Sequence, residues 1–456
     1  MADNPKIKLS TNKPNDKDPS FSSSPIELNL QSLSITESKV ISSFHVTSEG
    51  TLYSAAKAFE DLNLPQELLE GIYNEMKFTR PSKIQAISLP MILTPPYKNL
   101  IAQAHNGCGK TTCFVLGMLS RVDPNIKAPQ ALCICPTREL AIQNMEVLKR
   151  MSKHTRISSY CAISGNTVME TVAIFDQIVI GTPGTVKGLI SRKKLSTRQL
   201  RFLVFDEADH MLADDGFKDD SMRIIKDIEK SSLHCQVLLF SATFNDTVKR
   251  FATRVVPDAN YMYVKKEELT LDMVKQYKVH CPDENAKIQA IKEKIFDLVD
   301  KLGQSIIFVH SRASANALHK SLTTFGWEVT TIHGAVDIDK RDAIIKEFKN
   351  GLTSVLISTD LLCRGFDQSQ VNLVINYDLP VKYDSPGEPD YEVYLHRCGR
   401  AGRFGRKGAV FNLLCQDNDH MLMNKIQNYF RHEIVEVPNW NSDEDFGKAL
   451  KEAGLL

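Results

Sequence analysis

The sequence predicts an α/β protein of two tandem domains, each a parallel sheet flanked by helices, behind a polar amino-terminal extension. Three observations lead to this expectation. The chain has 456 residues, more than one hydrophobic core usually organises. Between about Phe59 and Tyr263, short apolar runs alternate with helical stretches, the pattern of strands buried on both faces and covered by helices. A second alternating series begins after Val264-Lys265-Lys266-Glu267-Glu268-Leu269, a charged stretch without sheet periodicity that reads as a linker.

Composition fits a globular protein and narrows its partners. Hydrophobic residues make up 42% and charged residues 24%, ordinary values for a folded chain. The formal net charge is +1, which argues against binding polyanions by bulk charge. Any nucleic-acid site must then be a local groove of Arg, Ser, Thr and backbone N–H contacts. No apolar stretch approaches the roughly 20 residues needed to cross a bilayer. The opening Met1-Ala2-Asp3-Asn4-Pro5-Lys6 lacks the layout of a secretory signal, so a soluble intracellular protein is expected. Ten cysteines are scattered without a CxxC pair. Cys133 and Cys135 are spaced as alternate strand residues, and buried thiols are expected rather than disulfides or zinc ligands.

Residues 1–50 are rich in Ser, Asn, Asp, Lys and Pro. They are expected to form a largely disordered regulatory extension, with Ile35 to Ile41 able to dock as a helix and order beginning near Phe59. Residues 51–264 are assigned to the first domain. Its strands are read at Leu100-Ile101-Ala102, Ala131 to Cys135, Ile178 to Ile180, Phe202 to Phe205 and Val237 to Phe240. Each run is followed by a polar signature at the edge where open α/β sheets place ligands. In order these are Ala104 to Thr111, Pro136-Thr137-Arg138-Glu139-Leu140, Gly181-Thr182-Pro183-Gly184, Asp206-Glu207-Ala208-Asp209 and Ser241-Ala242-Thr243. Residues 265–272 are assigned to the linker and 273–456 to the second domain. There Ile306 to Val309 leads into His310-Ser311-Arg312, Val355 to Ile357 into Ser358-Thr359-Asp360, and Leu373 to Ile375 into Asn376-Tyr377-Asp378. This half has no glycine loop, but carries the arginine-rich His396-Arg397-Cys398-Gly399-Arg400-Ala401-Gly402-Arg403. Two like domains with one such loop suggest a nucleotide clamped between them.

The signature Ala104-His105-Asn106-Gly107-Cys108-Gly109-Lys110-Thr111 lies between a strand and a helix-like run from Thr112 to Leu119, the context of a phosphate-binding loop. Gly107 and Gly109 let backbone N–H groups converge on phosphate oxygens at a helix amino terminus. Lys110 supplies a point charge to the β- and γ-phosphates, and Thr111 a hydroxyl to Mg²⁺. Ala104 stands where the pattern usually has its first glycine. A turn capping an ordinary helix is the bland alternative, and the acidic tetrad downstream weighs against it. Asp206 is suited to hold Mg²⁺ through its water shell, and Glu207 to orient or deprotonate the water that attacks the nucleotide.

In this order of motifs, from about Phe59 to about Phe411, the chain resembles the DEAD-box ATP-dependent RNA helicases. The resemblance implies two RecA-like domains and ATP with Mg²⁺ as cofactors. Lys77-Phe78-Thr79-Arg80-Pro81-Ser82-Lys83-Ile84-Gln85 looks like the family's Q motif, in which Gln85 reads the adenine edge by two hydrogen bonds and Phe78 stacks on the base. A core role for Phe78 and a solvated helix position for Gln85 are the alternative. Nucleotide binding thus falls to Phe78, Gln85, Gly107, Cys108, Gly109, Lys110 and Thr111, with Asp367 accepting from the ribose. Thr111 and Asp206 are the implied metal residues. Lys110, Asp206, Glu207 and the fingers Arg400 and Arg403 are the implied catalytic set, the fingers bringing charge to the γ-phosphate. Asp209, Ser241, Thr243 and His396 look like the set that couples hydrolysis to the grip on RNA. RNA contacts carry over to Thr137, Arg138, Gly165, Thr182 and Gly184, and in the second domain to Arg312, Arg341 and Thr359. Such groups suit phosphates and 2′-hydroxyls and have little capacity to read bases. The implied substrate is single-stranded or short duplex RNA of any sequence, unwound locally. Departures from the family pattern fall at Gly165-Asn166, Cys398, Ala401 and Cys108, and none removes a charged or phosphate-cradling group. Cys108, beside Lys110, is expected to have a lowered pKa and to be open to alkylation.

Within the family, three features resemble the mRNA-export subgroup that acts at the cytoplasmic face of the nuclear pore. They are Arg80-Pro81-Ser82-Lys83-Ile84-Gln85, Asn376-Tyr377-Asp378-Leu379-Pro380 with an insertion from Val381 to Asp390, and Tyr394-Leu395-His396-Arg397. The implied partners are mRNA–protein complexes, a pore-filament nucleoporin and an export activator with an inositol phosphate. A monomer located in cytoplasm and nucleus, at the pore, is expected, without membrane insertion. Two alternatives stay open at this point: a low-turnover, ATP-locked RNA clamp that serves as a scaffold, and a DNA helicase.

Overall fold

The apolar runs become strands because a segment covered by helices on both faces has no solvent side. The computed structural model describes residues 44–47, 53–104, 107–165, 172–213, 215–232, 234–264, 274–296, 303–363, 366, 368–402 and 406–456. The expected helix at Ile35 to Ile41, the linker at 265–272, Asn166, Asp367 and Arg403 lie outside these residues.

The first sheet contains β1 (Phe44–Thr47), β2 (Asn99–Gln103), β3 (Ala131–Ile134), β4 (Ser159–Ala162), β5 (Ile178–Gly181), β6 (Phe202–Phe205), β7 (Gln236–Ser241) and β8 (Ala259–Val264). Their order is β1-β8-β2-β7-β6-β3-β5-β4, parallel throughout except that β1 runs antiparallel to β8. Alternation within each strand divides the core between the two faces, as a period of two requires. Ala131 and Cys133 pack with one cluster, whereas Leu132 and Ile134 pack with the cluster on the opposite face. The helices that bear on the site are α1 (Lys83–Leu93), α2 (Lys110–Arg121), α3 (Arg138–Met151), α4 (Pro183–Ser191) and α5 (Ala208–Ala213).

Strand β1 lies ahead of residue 51 and covers the edge of β8, which would otherwise present unpaired N–H and C=O groups. Phe44–Thr47 pairs with that edge in the register Phe44 to Val264 and Thr47 to Tyr261.

The second sheet repeats the design with β9 (Val274–His280), β10 (Gln304–Phe308), β11 (Val329–Ile332), β12 (Val355–Ser358), β13 (Val371–Asn376), β16 (Gly408–Leu414) and β17 (Val435–Val437). All pairs are parallel in the order β11-β12-β10-β13-β16-β9-β17. Between β13 and β16, the insertion forms the hairpin β14 (Val381–Lys382) and β15 (Ser385–Pro389). Lys425 tethers this hairpin, its Nζ donating to Gly387 O at 2.9 Å and to Glu388 Oε1 at 2.7 Å. The helices of this domain include α6 (Arg312–Thr324), α7 (Ile338–Lys349) and α8 (Tyr391–Cys398), of which α7 and α8 contact the first domain. No helix among the described residues is long and apolar enough to cross a membrane.

The strand orders dictate what lies side by side. Along the carboxyl edge of the first sheet the sequence β2-β7-β6-β3-β5 sets the glycine loop, Ser241–Thr243, the acidic tetrad, Thr137–Arg138 and Thr182–Gly184 next to one another.

Candidate active site between the two sheets

The glycine loop turns directly into α2. Gly109 is the residue before the helix, has a φ of 105°, and offers no side-chain cap, so the first N–H groups of α2 face the cleft. A Cβ at this position would lie 2.5 Å from Gln85 Nε2, which leaves glycine as the residue that fits. Lys110 is buried, and its Nζ donates to Ala104 O at 2.6 Å, folding the ammonium across the loop.

The Q-motif residues clip this loop from outside. Ser82 Oγ donates to Cys108 O at 2.8 Å, and Gln85 Nε2 donates to Gly109 O at 3.3 Å. Gln85 Oε1 accepts the Ser82 N–H at 2.9 Å. Gln85 is 4% exposed, so it is not a solvated helix residue. Its amide still has a second N–H and a second lone pair for a base edge. Phe78 serves both readings, packing against the core and lining the cleft.

Beyond β6, Glu207 adopts a φ of 51°, a left-handed conformation that a non-glycine residue enters at a cost of about 1 kcal/mol or more. The turn places both Asp206 and Glu207 in the cleft wall. Asp206 Oδ1 accepts the Glu207 N–H at 3.1 Å, and Oδ2 accepts from Asn144 Nδ2 at 2.8 Å. Burial raises the Asp206 carboxyl above its ordinary pKa, against the opposing pull of the Asn144 bond and the Lys110 charge. Thr111 Oγ1 donates to the other end of the same amide, Asn144 Oδ1, at 3.4 Å.

Asp209 ties the two sheets together. Its Oδ2 accepts from Thr243 N at 3.2 Å and Thr243 Oγ1 at 3.0 Å, while its own N–H reaches Ser241 Oγ at 3.2 Å. His396 Nε2, from α8 of the second domain, lies 3.4 Å from the same Oδ2, with both side chains fully buried. The four residues expected to act as one set are therefore joined through Asp209. Arg400 lies in the turn just beyond α8, donating to His396 O at 3.1 Å and to Phe366 O. It lines a cleft of about 700 Å³ together with Phe78, Gln85, Lys110, Asp206 and Glu207, a size in the range of small-molecule sites.

The expected RNA residues fall into two groups. Thr137 caps α3, Thr182 precedes α4, and Gly165 and Gly184 are exposed beside them. Thr359 is half-buried at the end of β12 and Arg312 is exposed at the start of α6. Arg138 and Arg341, by contrast, have carboxylate partners across the seam. Arg138 NH2 lies 2.7 Å from Asp342 Oδ2 and Arg341 NH1 lies 3.4 Å from Glu139 Oε1. With Lys349 Nζ to Glu146 Oε2 at 2.9 Å, three ion pairs join α3 to α7.

All ten cysteines are thiols. Burial pushes the half-buried Cys161 up to about 11, and Cys235 and Cys415 to about 12. Cys108 is half-buried and lines the cleft, so its expected reactivity rests on access rather than on the Lys110 ammonium, which is turned toward Ala104. N-ethylmaleimide should abolish ATP hydrolysis by adding bulk at Cys108, and bound nucleotide should protect. Mass spectrometry of the modified chain and the Cys108→Ser variant check this; full sensitivity of that variant would refute it.

Two contributors have no role assigned from the sequence. Ser82 had a signal as a helix-start residue three before Gln85. Asn144 had one as the single amide on the apolar face of α3, among Leu140, Ala141, Met145 and Leu148.

The family model described as DEAD/DEAH box helicase matches residues 82–251, and that of the helicase conserved C-terminal domain matches residues 286–405. The chain is 62% identical over 416 residues to DEAD-box ATP-dependent RNA helicase 38 of Oryza sativa subsp. japonica, covering 90% of this chain and 82% of that protein. It is similar to S. cerevisiae Dbp5 bound to RNA and ADP BeF3, with TM-score 0.81, 39% identity, and 87% and 100% of the two chains covered. Against a Dbp5 variant bound to Nup159, a Gle1 variant, IP6 and ADP, the TM-score is 0.63 at 38% identity, with 86% and 99% covered.

Proposed function

The chain belongs to the DEAD-box ATP-dependent RNA helicases, ATP-hydrolysing enzymes of two RecA-like domains, and from that premise we propose a division of labour among its residues. Gln85 and Phe78 take the adenine, and Gly107, Cys108 and Gly109 cradle the phosphates with backbone N–H groups. Lys110 turns from Ala104 O toward the β- and γ-phosphates. Glu207 orients the attacking water and accepts its proton, and Arg400 and Arg403 neutralise charge on the transferring phosphoryl group. Asp367 takes the ribose.

Mg²⁺ fits the donors. Thr111 and Asp206 offer hard oxygens, and no group of three or more His, Cys, Asp or Glu among the described residues could cage a metal. That is the arrangement for an ion held by one or two protein oxygens, waters and phosphates. When bound, Mg²⁺ supplies charge neutralisation at the β- and γ-phosphate oxygens.

RNA passes over Thr137, Arg138, Gly165, Thr182 and Gly184 and on to Arg312, Arg341 and Thr359. The Asp209–Thr243–His396 contact transmits closure of the domains to that groove. We assign this activity to remodelling of mRNA–protein complexes in export through the nuclear pore, in cytoplasm and nucleus, as a monomer. Supporting this are the resemblance of the insertion and motifs to the export subgroup and the solved assembly of Dbp5 with Nup159, Gle1 and IP6. Counterparts of those three are the proposed partners. Residues 1–50 supply a regulatory extension.

The observation that carries the reading is that Lys110, Asp206 and Glu207 of one domain and Arg400 of the other line a single cleft. Steady-state phosphate release should rise on adding single-stranded RNA and not on adding DNA of the same sequence. Equal release with and without RNA would favour the scaffold clamp, and equal stimulation by DNA would contradict RNA specificity.

A further inference from the structure

We infer that Asn144 is a positioning residue for the metal end of the cleft, one buried amide that holds the Asp206 carboxylate and the Thr111 hydroxyl in register. The inference rests on the nucleotide reading of the cleft and concerns a residue four positions beyond the motif Pro136 to Leu140.

Asn144 is fully buried on the face of α3 that packs into the core. An amide there is unfavourable unless its polar groups are met. They are met by residues of two different motifs and one strand end. Nδ2 donates to Asp206 Oδ2 at 2.8 Å and to Cys135 Sγ at 3.3 Å, and Oδ1 accepts from Thr111 Oγ1 at 3.4 Å.

Chemistry fixes which way the amide faces. An ionised carboxylate only accepts, so the NH2 end must turn to Asp206, which leaves Oδ1 toward Thr111. The Thr111 hydroxyl hydrogen is then committed to Asn144, and its lone pairs point away from α3. A cation ligand needs that orientation. Asp206 is held at both oxygens, by Asn144 at one and by the Glu207 N–H at the other, so its remaining lone pairs also have a fixed direction. One side chain thus sets the aim of both oxygen donors. The same helix begins with Thr137 and Arg138, about two turns away, so a shift of α3 moves both donors together.

The test measures binding of a fluorescent N-methylanthraniloyl-ADP to the full chain with excess Mg²⁺ and with EDTA, without RNA. Asn144→Leu keeps volume and removes every hydrogen-bonding group; Asn144→Thr keeps one hydroxyl at shorter reach. Affinity in EDTA should stay at the parent level in both. The advantage conferred by Mg²⁺ should fall about tenfold in Asn144→Leu, the loss expected for a bond to a charged group, and by less in Asn144→Thr. Half-saturating Mg²⁺ for ATP hydrolysis should rise in step. A preserved Mg²⁺ advantage, or equal losses with Mg²⁺ and EDTA, would overturn the assignment. If thermal unfolding shows that Asn144→Leu does not fold, Asn144→Thr alone decides by the same criterion. A parent chain that gains nothing from Mg²⁺ would instead sink the nucleotide reading itself.

Discussion

Glu207→Gln is expected to slow ATP hydrolysis by roughly three orders of magnitude, the scale of a lost general base, while ATP and RNA stay bound. The replacement removes charge and changes little else. Glu207 is buried in the cleft wall, and its backbone N–H, which Asp206 accepts at 3.1 Å, is untouched. The Asn144 bond to Asp206 and the Lys110 loop contact also remain. Only the group that orients and deprotonates water is lost. Single-turnover phosphate release should therefore collapse, while retention of labelled RNA in the presence of ATP should be undiminished or prolonged. Undiminished turnover, or ATP binding lost together with hydrolysis, would show that Glu207 does something else.

Lys110→Ala acts one step earlier. The parent ammonium is buried against Ala104 O at 2.6 Å, within a short swing of the loop's phosphate face. Its removal should weaken nucleotide binding by about tenfold to a hundredfold, as expected for charge-assisted bonds. It also leaves the Ala104 carbonyl without this donor, a further cost of about 1 kcal/mol in stability. Equilibrium titration with a fluorescent ATP analogue separates the two effects from thermal unfolding followed in parallel. Parent-like affinity in a folded Lys110→Ala chain would remove the residue from the phosphate site. The contrast between the two variants is itself informative, since one should bind without turning over and the other should fail to bind.

How much of this could be read in the letters depends on distance along the chain. Phe202–Phe205 was assigned to the residue because all four positions are buried, so no polar letter interrupts the run. Strand β4, at the sheet edge, alternates half-buried and buried residues over Ser159-Tyr160-Cys161-Ala162 and gave no such signal. Strand β9 was missed for a related reason. Val274-Lys275-Gln276-Tyr277-Lys278-Val279-His280 mixes polar residues into an inner strand, directly after a charged linker. The glycine loop and the acidic turn were legible because their geometry is local, set by consecutive residues. The contacts that assemble them were not. Asn144 meets Asp206 from 62 positions away and Ser82 meets Cys108 from 26, pairings that only the fold creates. Arg138 and Arg341 show the same limit: sequence gave them a polyanion to bind, and the fold adds carboxylates 204 and 202 positions distant.

Strand β1 has a consequence for any shortened version of the protein. A version starting at residue 51 or at Phe59 would lose β1 and leave β8 with one flank bare over the stretch that β1 pairs with. Such a flank is a template on which a second molecule can add a strand, so self-association would be mistaken for a change in catalytic restraint. Trimming just ahead of Phe44 removes the polar tail and keeps the sheet's border sealed.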